Sequence, residues 1–381
     1  MVPEIIFWIL TAVLIYIYFG YPVIISIFSY FMTRPVVKNN EYEPFTTLII
    51  TAYNEEKHMV EKLANTLELD YPRDKLDIIV ASDGSKDNTN EIVRKFIKQH
   101  PEIRLLSFKK NRGKTAAQNR AVTCARGEII VFSDANARYR PDAVRKLVRN
   151  FYDTRVGCVC GELRYRVENC GAGEGEGLYW KYEKYLKKLE SRLGNVLGAN
   201  GSIYALRKDL YVPIKEDIIS DFVEPLKIIE KGFRAVYEEK AVSYEDASKS
   251  FQLEFQRKVR IITRSYRGLL SVKKMLNPLK YGFLALGLFS RKLLRWYTGI
   301  FLGALFLTNL YLAFSSRGFF LFTLLFQMLF IFLALGGIIS KRSFKPLLIP
   351  AYFCVVSYSS ILGLVNYYRG DSAVSWVPSR K

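Results

Sequence analysis

Three carboxylates close apolar, β-rich runs, and they are the residues here best suited to chemistry. Glu55 follows FTTLIITAYN, Asp83 follows LDIIVAS and Asp134 ends GEIIVFSD. Asn136 stands two residues beyond Asp134, so their oxygens lie on one side of an extended chain. Hard oxygen ligands suit Mg²⁺ or Mn²⁺, and Mg²⁺ is usually held by one or two carboxylates together with substrate phosphates. D-x-N alone is common in surface turns; three polar strand ends side by side carry more weight. Asp221, in IISDFVEPL, precedes a helical pattern of Phe222, Leu226 and Ile229. It reads as a helix N-cap, for which Asp is favoured, or as a general base beside a cleft. Arg257 and Arg260 lie three apart on an expected helix and share a face, which Arg264 and Arg267 extend. That face suits anionic lipid, or a diphosphate gripped by guanidinium forks. Lys114, in NRGKTAAQN, stands at an expected helix N-terminus, where backbone N–H groups already favour an anion.

The elements that must position these groups alternate. Strands are expected over 45–53, 76–82, 103–108 and 127–134, and helices over 55–68, 87–98, 114–125 and 141–151. Such alternation predicts an α/β domain with a parallel sheet covered on both faces. Ligands bind at the carboxyl ends of the strands in such sheets. No G-x-G-x-x-G follows the first strand and no G-x-x-x-x-G-K-[ST] occurs, which argues against a dinucleotide oxidoreductase or a P-loop NTPase. VGCVCGEL (156–163) is a further strand, with Cys158 and Cys160 on one face. The helix expected over 178–194 either packs on the domain or lies at a membrane surface with Trp180, Tyr182 and Tyr185 near the headgroups.

The chain has 381 residues, half of them hydrophobic and unevenly spread. Ile5–Phe31 is uncharged and long enough to span a bilayer. It is too long for a signal peptide and lacks a cleavage site. Gly20 and Pro22 are expected to kink it or mark its end. Trp296–Phe314, Gly318–Ile339 and Pro346–Tyr368 are three more spans, and the shorter 279–290 reads as an interfacial helix. The net charge of +20 raises nucleic-acid binding. The positive-inside rule accounts for it better, since Arg34, Lys38, Lys273, Lys274, Arg291, Lys292 and Arg295 all adjoin spans. No nucleic-acid partner is expected. Five cysteines without a C-x-x-C pair and two histidines outside any motif leave little for a disulfide framework, a zinc site or a His-based triad.

Together these motifs resemble the membrane-bound family-2 glycosyltransferases, related to the cellulose, chitin and hyaluronan synthases and to bacterial exopolysaccharide transferases. The resemblance runs through residues 45–270. It implies an N-terminal transmembrane helix (1–34), a cytoplasmic GT-A nucleotide-diphospho-sugar transferase domain (35–275), and an interfacial helix with three transmembrane helices (276–381). By that likeness Tyr53 and Glu55 lie near the nucleoside, Asp83 contacts the base or ribose, and Lys114 lies near the donor. Asp134 is the metal ligand, with Asn136 where the family has a second acid. GANGSIYALRK (198–208) is an acceptor-side loop and Asp221 the base, preceded by Ser220 rather than an acid. Arg257 and Arg260 match (Q/R)xxRW with Ile261 replacing the Trp, which weakens the case for long polymers. The implied reaction is inverting transfer from a nucleotide sugar, a UDP-sugar by expectation, to a glycan or lipid-linked acceptor hydroxyl. It would need Mg²⁺ or Mn²⁺ and would occur at the cytoplasmic face of the inner membrane, in polysaccharide or glycolipid synthesis. The alternatives are transfer of one sugar to a polyprenyl phosphate, which needs no base, and a sugar nucleotidyltransferase, whose Gly-rich loop is missing near the N-terminus.

Overall fold

The computed structural model describes residues 1–166, 171–247, 250–316, 318–339 and 345–371, with the side chains of 171–179 and 345 outside that set. Cys170 lies outside the described residues.

Eight strands form one sheet: β1 Thr46–Ala52, β2 Leu76–Ser82, β3 Ile103–Ser107, β4 Ile129–Asp134, β5 Arg138–Tyr139, β6 Val156–Arg166, β7 Tyr204–Arg207 and β8 Arg234–Asp246. Their order is β3-β2-β1-β4-β7-β6-β8-β5. The first four match the expected parallel sheet. Beyond β4 the sheet becomes mixed: β7 is antiparallel to both β4 and β6, and β8 is parallel to β6. The change falls after residue 155, where the alternating pattern of the sequence also stops: the chain runs from β6 through helix Gly171–Leu193 and returns as β7 antiparallel beside β6.

Both faces of the central strands are covered, so β1 and β2 are buried along their whole lengths. Alternate residues divide between two cores. Ile49, Ile79, Ile130 and Phe132 face one, with Cys158 and Cys160 beside them. Leu48, Ile50, Val80 and Val131 face the other.

Among the described residues four helices are long and apolar enough to cross a membrane: Val2–Phe31, Thr298–Ser316, Phe319–Ile339 and Pro346–Tyr368. The first does not end at Gly20 or Pro22. A π-helical turn over Tyr16–Gly20 precedes Pro22, and the helix then resumes. The expected interfacial helix is broken. Gly282 adopts φ +51°, separating the short helices Pro278–Tyr281 and Phe283–Gly287, and a second π-helical turn follows over Leu288–Leu294. Leu279 is exposed there, whereas Leu284 and Leu288 are buried in the core.

Helix Gly171–Leu193 packs against the N-terminal span. Leu186, Leu189 and Leu193 meet Tyr21 and Ile25 of the N-terminal span. Tyr182 donates to Tyr18 O at 3.2 Å, and the Tyr185 and Ser26 hydroxyls lie 2.8 Å apart. Helix Phe251–Ser271, which carries the arginines, lies along the last span. A Cβ on Gly363 would fall 2.8 Å from Ile262, and Thr263 donates to Gly363 O at 3.0 Å.

Candidate active site

A cavity of about 330 Å³ opens beyond the carboxyl ends of β1 and β4. The register explains what reaches it. Thr51 of β1 pairs with Ala81 of β2 and with Asp134 of β4. Asp134 is therefore level with Ala81, and Asp83 lies two residues, about 7 Å, further along and two strands away. Glu55, Asp134 and Asn136 line the cavity; Tyr53 and Asp83 do not. The buried Asp83 carboxylate instead accepts from the backbone N–H of Arg112 at 3.0 Å and of Gly113 at 2.7 Å. It thereby fixes the loop that delivers Lys114. Burial pushes its pKa up against these two hydrogen bonds.

Lys114 opens helix Lys114–Cys124. Its Nζ is paired with Asp134 and donates to Gly201 O at 3.0 Å. Gly201 is required by the close approach: a Cβ there would fall 2.8 Å from Asp221 Oδ2 and 3.0 Å from Lys114 Nζ. Lys62 braces this wall from beneath, with Nζ donating to Ser133 Oγ and Ala137 O, both at 2.6 Å.

Asp221 is the second residue of helix Ser220–Glu230 and is not its N-cap, which is Ile219. Its carboxylate makes no hydrogen bond or ion pair among the described residues. Burial raises its pKa, with Lys114 opposing and Asp134 adding to the rise. It is a stronger base for that once ionised. The backbone around it is tied on three sides. Ala199 N donates to Asp221 O at 2.7 Å, Thr115 Oγ1 donates to Ile218 O at 2.8 Å, and Arg264 donates to Ile218 O at 2.8 Å and Glu216 O at 2.9 Å. Arg264 is thus a structural tie between the arginine helix and the turn before Asp221.

Arg257 and Arg260 both line the cavity. Glu254 holds Arg257 at 2.8 Å and accepts from Tyr352 of the last span at 3.2 Å. Burial and the neighbouring Arg257 pull Arg260 below its usual pKa, the electrostatics of a site that gains by receiving an anion. Arg267 leaves this face: it pairs with Asp217 at 3.2 Å and donates to Asp371 O.

Asp134 and Asn136 fit a divalent ion whose coordination a ligand completes. They offer two oxygen donors to the cavity, and among the described residues no group of three His, Cys, Asp or Glu side chains could hold a metal alone. A magnesium-type site finished by diphosphate oxygens has that form.

Sequence reasoning missed the wall facing the membrane. Glu183, Lys187, Arg291 and Lys292 line the cavity too. Arg291 is buried between Glu183, at 2.5 Å, and Glu190, which also accepts from Tyr21 at 2.9 Å. Burial pushes Glu183 up, but Arg291 and Arg295 hold it well below the usual carboxylate range. Burial and Arg291 pull Lys292 down to about 8. Glu183 and Glu190 stand seven apart on one helix, a spacing that marks a shared face. That was the signal available; their partner a hundred residues later gave none.

A model of glycosyl transferase family 2 matches residues 47–211. The poly-beta-1,6-N-acetyl-D-glucosamine synthase of Staphylococcus aureus is 28% identical over 245 residues, covering 63% of this chain and 57% of that protein. The chain thus spans little more than half the length of that relative. A dolichyl-phosphate beta-glucosyltransferase of Trichomonas vaginalis is 40% identical over 111 residues, 28% of this chain and 33% of that protein. A mannosyltransferase from Pyrobaculum calidifontis, solved in complex with GDP-Man and Mn²⁺, superimposes with a TM-score of 0.77 over 96% of this chain and 99% of its own at 23% identity, a likeness of fold. Residues 47–211 thus match the glycosyl transferase family 2 model, within a GT-A sheet like that of the mannosyltransferase and flanked by apolar helices.

Proposed function

We propose that the chain is an inverting glycosyltransferase moving a sugar from a nucleotide-diphosphate donor, a UDP-sugar by first choice, to a hydroxyl of a glycan or lipid-linked acceptor. It acts in polysaccharide or glycolipid synthesis at the cytoplasmic face of the inner membrane. The observation that carries this reading is the meeting of Asp221, Asp134 and Lys114 in one cavity that Arg257 and Arg260 also line.

In this reading Asp221 takes the proton from the acceptor hydroxyl as its oxygen attacks the anomeric carbon. The bond from that carbon to the diphosphate breaks, and its electron pair leaves with the diphosphate. One displacement suffices, so no covalent intermediate forms. Arg257, Arg260 and Lys114 hold the departing diphosphate, already in place before charge develops on it. Mg²⁺ or Mn²⁺ on Asp134 and Asn136 would neutralise part of that charge. Glu55 flanks the nucleoside, and Asp83 serves it by fixing the loop 111–113. Ile261, in place of a Trp, favours short products.

A second reading, transfer of one sugar to a polyprenyl phosphate, is favoured by the 40% identity to the dolichyl-phosphate enzyme over 111 residues. The test is a screen of UDP-, GDP- and CMP-sugars for nucleotide release by detergent-purified protein, with and without Mn²⁺. Acceptor-stimulated, Mn²⁺-dependent release of UDP or GDP supports the proposal; release of CMP alone, or no release from any class, contradicts it.

A further inference from the structure

Lys292 differs from the other cations of the cavity. Lys114 is paired with Asp134, Arg291 with two glutamates, Lys187 with Asn200, and Arg264 with backbone carbonyls. Lys292 has no hydrogen bond or ion pair among the described residues. Its Nζ stands 5.2 Å from the centre of the Phe222 ring, next in sequence to the base. A half-buried ammonium without a counter-ion is costly. The ring returns only about 0.5–2 kcal/mol.

The other lining cations have carboxylates behind them as well: Glu254 pairs with Arg257 and Lys258, and Glu190 with Arg291.

The position of Lys292 indicates where its counter-ion comes from. It belongs to the π-helical turn Leu288–Leu294, which touches the π-helical turn of the N-terminal span through Tyr16 and Ser290, 2.7 Å apart. Such turns recur at functional sites. Leu197 lines this cavity and also a second one of about 450 Å³, whose wall mixes Ile25, Leu193 and Phe283 with Arg34, Lys280 and Glu190. Cations beside a membrane span suit a lipid whose head is anionic.

We infer that Lys292 forms an acceptor subsite beside Asp221 that binds the phosphate of a lipid-linked acceptor. This rests on the transferase reading above. The phosphate is that of a lipid monophosphate or of a lipid diphosphate-linked sugar, and the test separates the two.

The full chain, purified in detergent, is given its donor and three acceptors of one chain length: a neutral alkyl glucoside, an isoprenyl phosphate and an isoprenyl diphosphate-linked sugar. The wild type should use one anionic acceptor with kcat/KM roughly ten- to a hundredfold above the neutral one. Lys292→Gln should bring that ratio near one, and Lys292→Arg should keep it. Titration with the nucleoside diphosphate checks that both variants are folded. A wild type without anionic preference, or an unchanged ratio in Lys292→Gln, overturns the subsite. A protein that neither binds nor cleaves any nucleotide sugar overturns the transferase reading and the subsite with it.

Discussion

The two walls of the cavity are built differently. The sheet wall, with Glu55, Lys114, Asp134 and Asn136, hangs from strand ends and short turns whose levels are set by backbone register. The membrane wall, with Glu183, Lys187, Arg291 and Lys292, is centred on the ion pairs of Arg291 with Glu183 and Glu190, over a hundred residues apart. On the first wall a residue's place follows from its own element. On the second, Glu183 and Arg291 are placed by each other. Substitutions on the sheet wall should therefore cost activity and little stability, and those on the membrane wall should cost stability first.

Between the two walls, the largest effect on transfer should come from Asp134→Ala. Transfer should fall about 10²–10³-fold with loss of the Mn²⁺ dependence, while the denaturation midpoint barely moves, because this carboxylate is partly exposed. A large loss of stability would erase the contrast between the walls. Glu183→Leu sharpens it from the other side. Arg291 would lose one of two buried partners, and breaking such a pair costs about 3–5 kcal/mol. Chemical denaturation in detergent measures this, and an unchanged midpoint would count against the membrane wall as described.

How much was readable follows the same division. Asp134, Lys114 and Asp221 sit at element ends that composition and periodicity reveal, Arg257 and Arg260 share one face of helix Phe251–Ser271, and all five reach the cavity. Asp83 sits at an equally visible end, but strand register, which a pattern of apolar residues does not fix, carries it past the level of Asp134, two strands away; Tyr53, next after β1, does not line the cavity either. The four parallel strands were legible because each is a compact apolar run with a turn after it. The mixed half of the sheet was not, since β7 is four residues long and its partners are chosen by tertiary packing. Arg291 and Lys292 read from sequence as positive-inside flanking charge; only their contacts turn them inward.

Arg264→Ala probes a smaller effect at the join between the walls. Without its bonds to Ile218 O and Glu216 O the turn before Asp221 loosens, and kcat should fall about ten- to a hundredfold with donor affinity held. A rise in donor KM at constant kcat would contradict a positioning role. The smallest effect concerns Glu224, one helical turn after the base. Burial pushes its carboxyl up to about 8 from 4.5, against the hydroxyl of Tyr204 at 2.8 Å. The folded state then keeps a proton that the unfolded state releases, so the contribution is full below pH 4.5 and is lost as pH rises toward 8. Glu224→Gln should flatten that slope while folding normally near pH 6. Identical slopes in denaturation midpoints between pH 6 and 9 would rule this out.

The most direct test of the account is Asp221→Asn, assayed for acceptor-dependent sugar transfer and, in the same preparation, for donor affinity. Loss of transfer by about 10²–10⁴-fold, with the donor still binding as in the wild type, is the expected result. Transfer at the wild-type rate would contradict the assignment of Asp221 as the base.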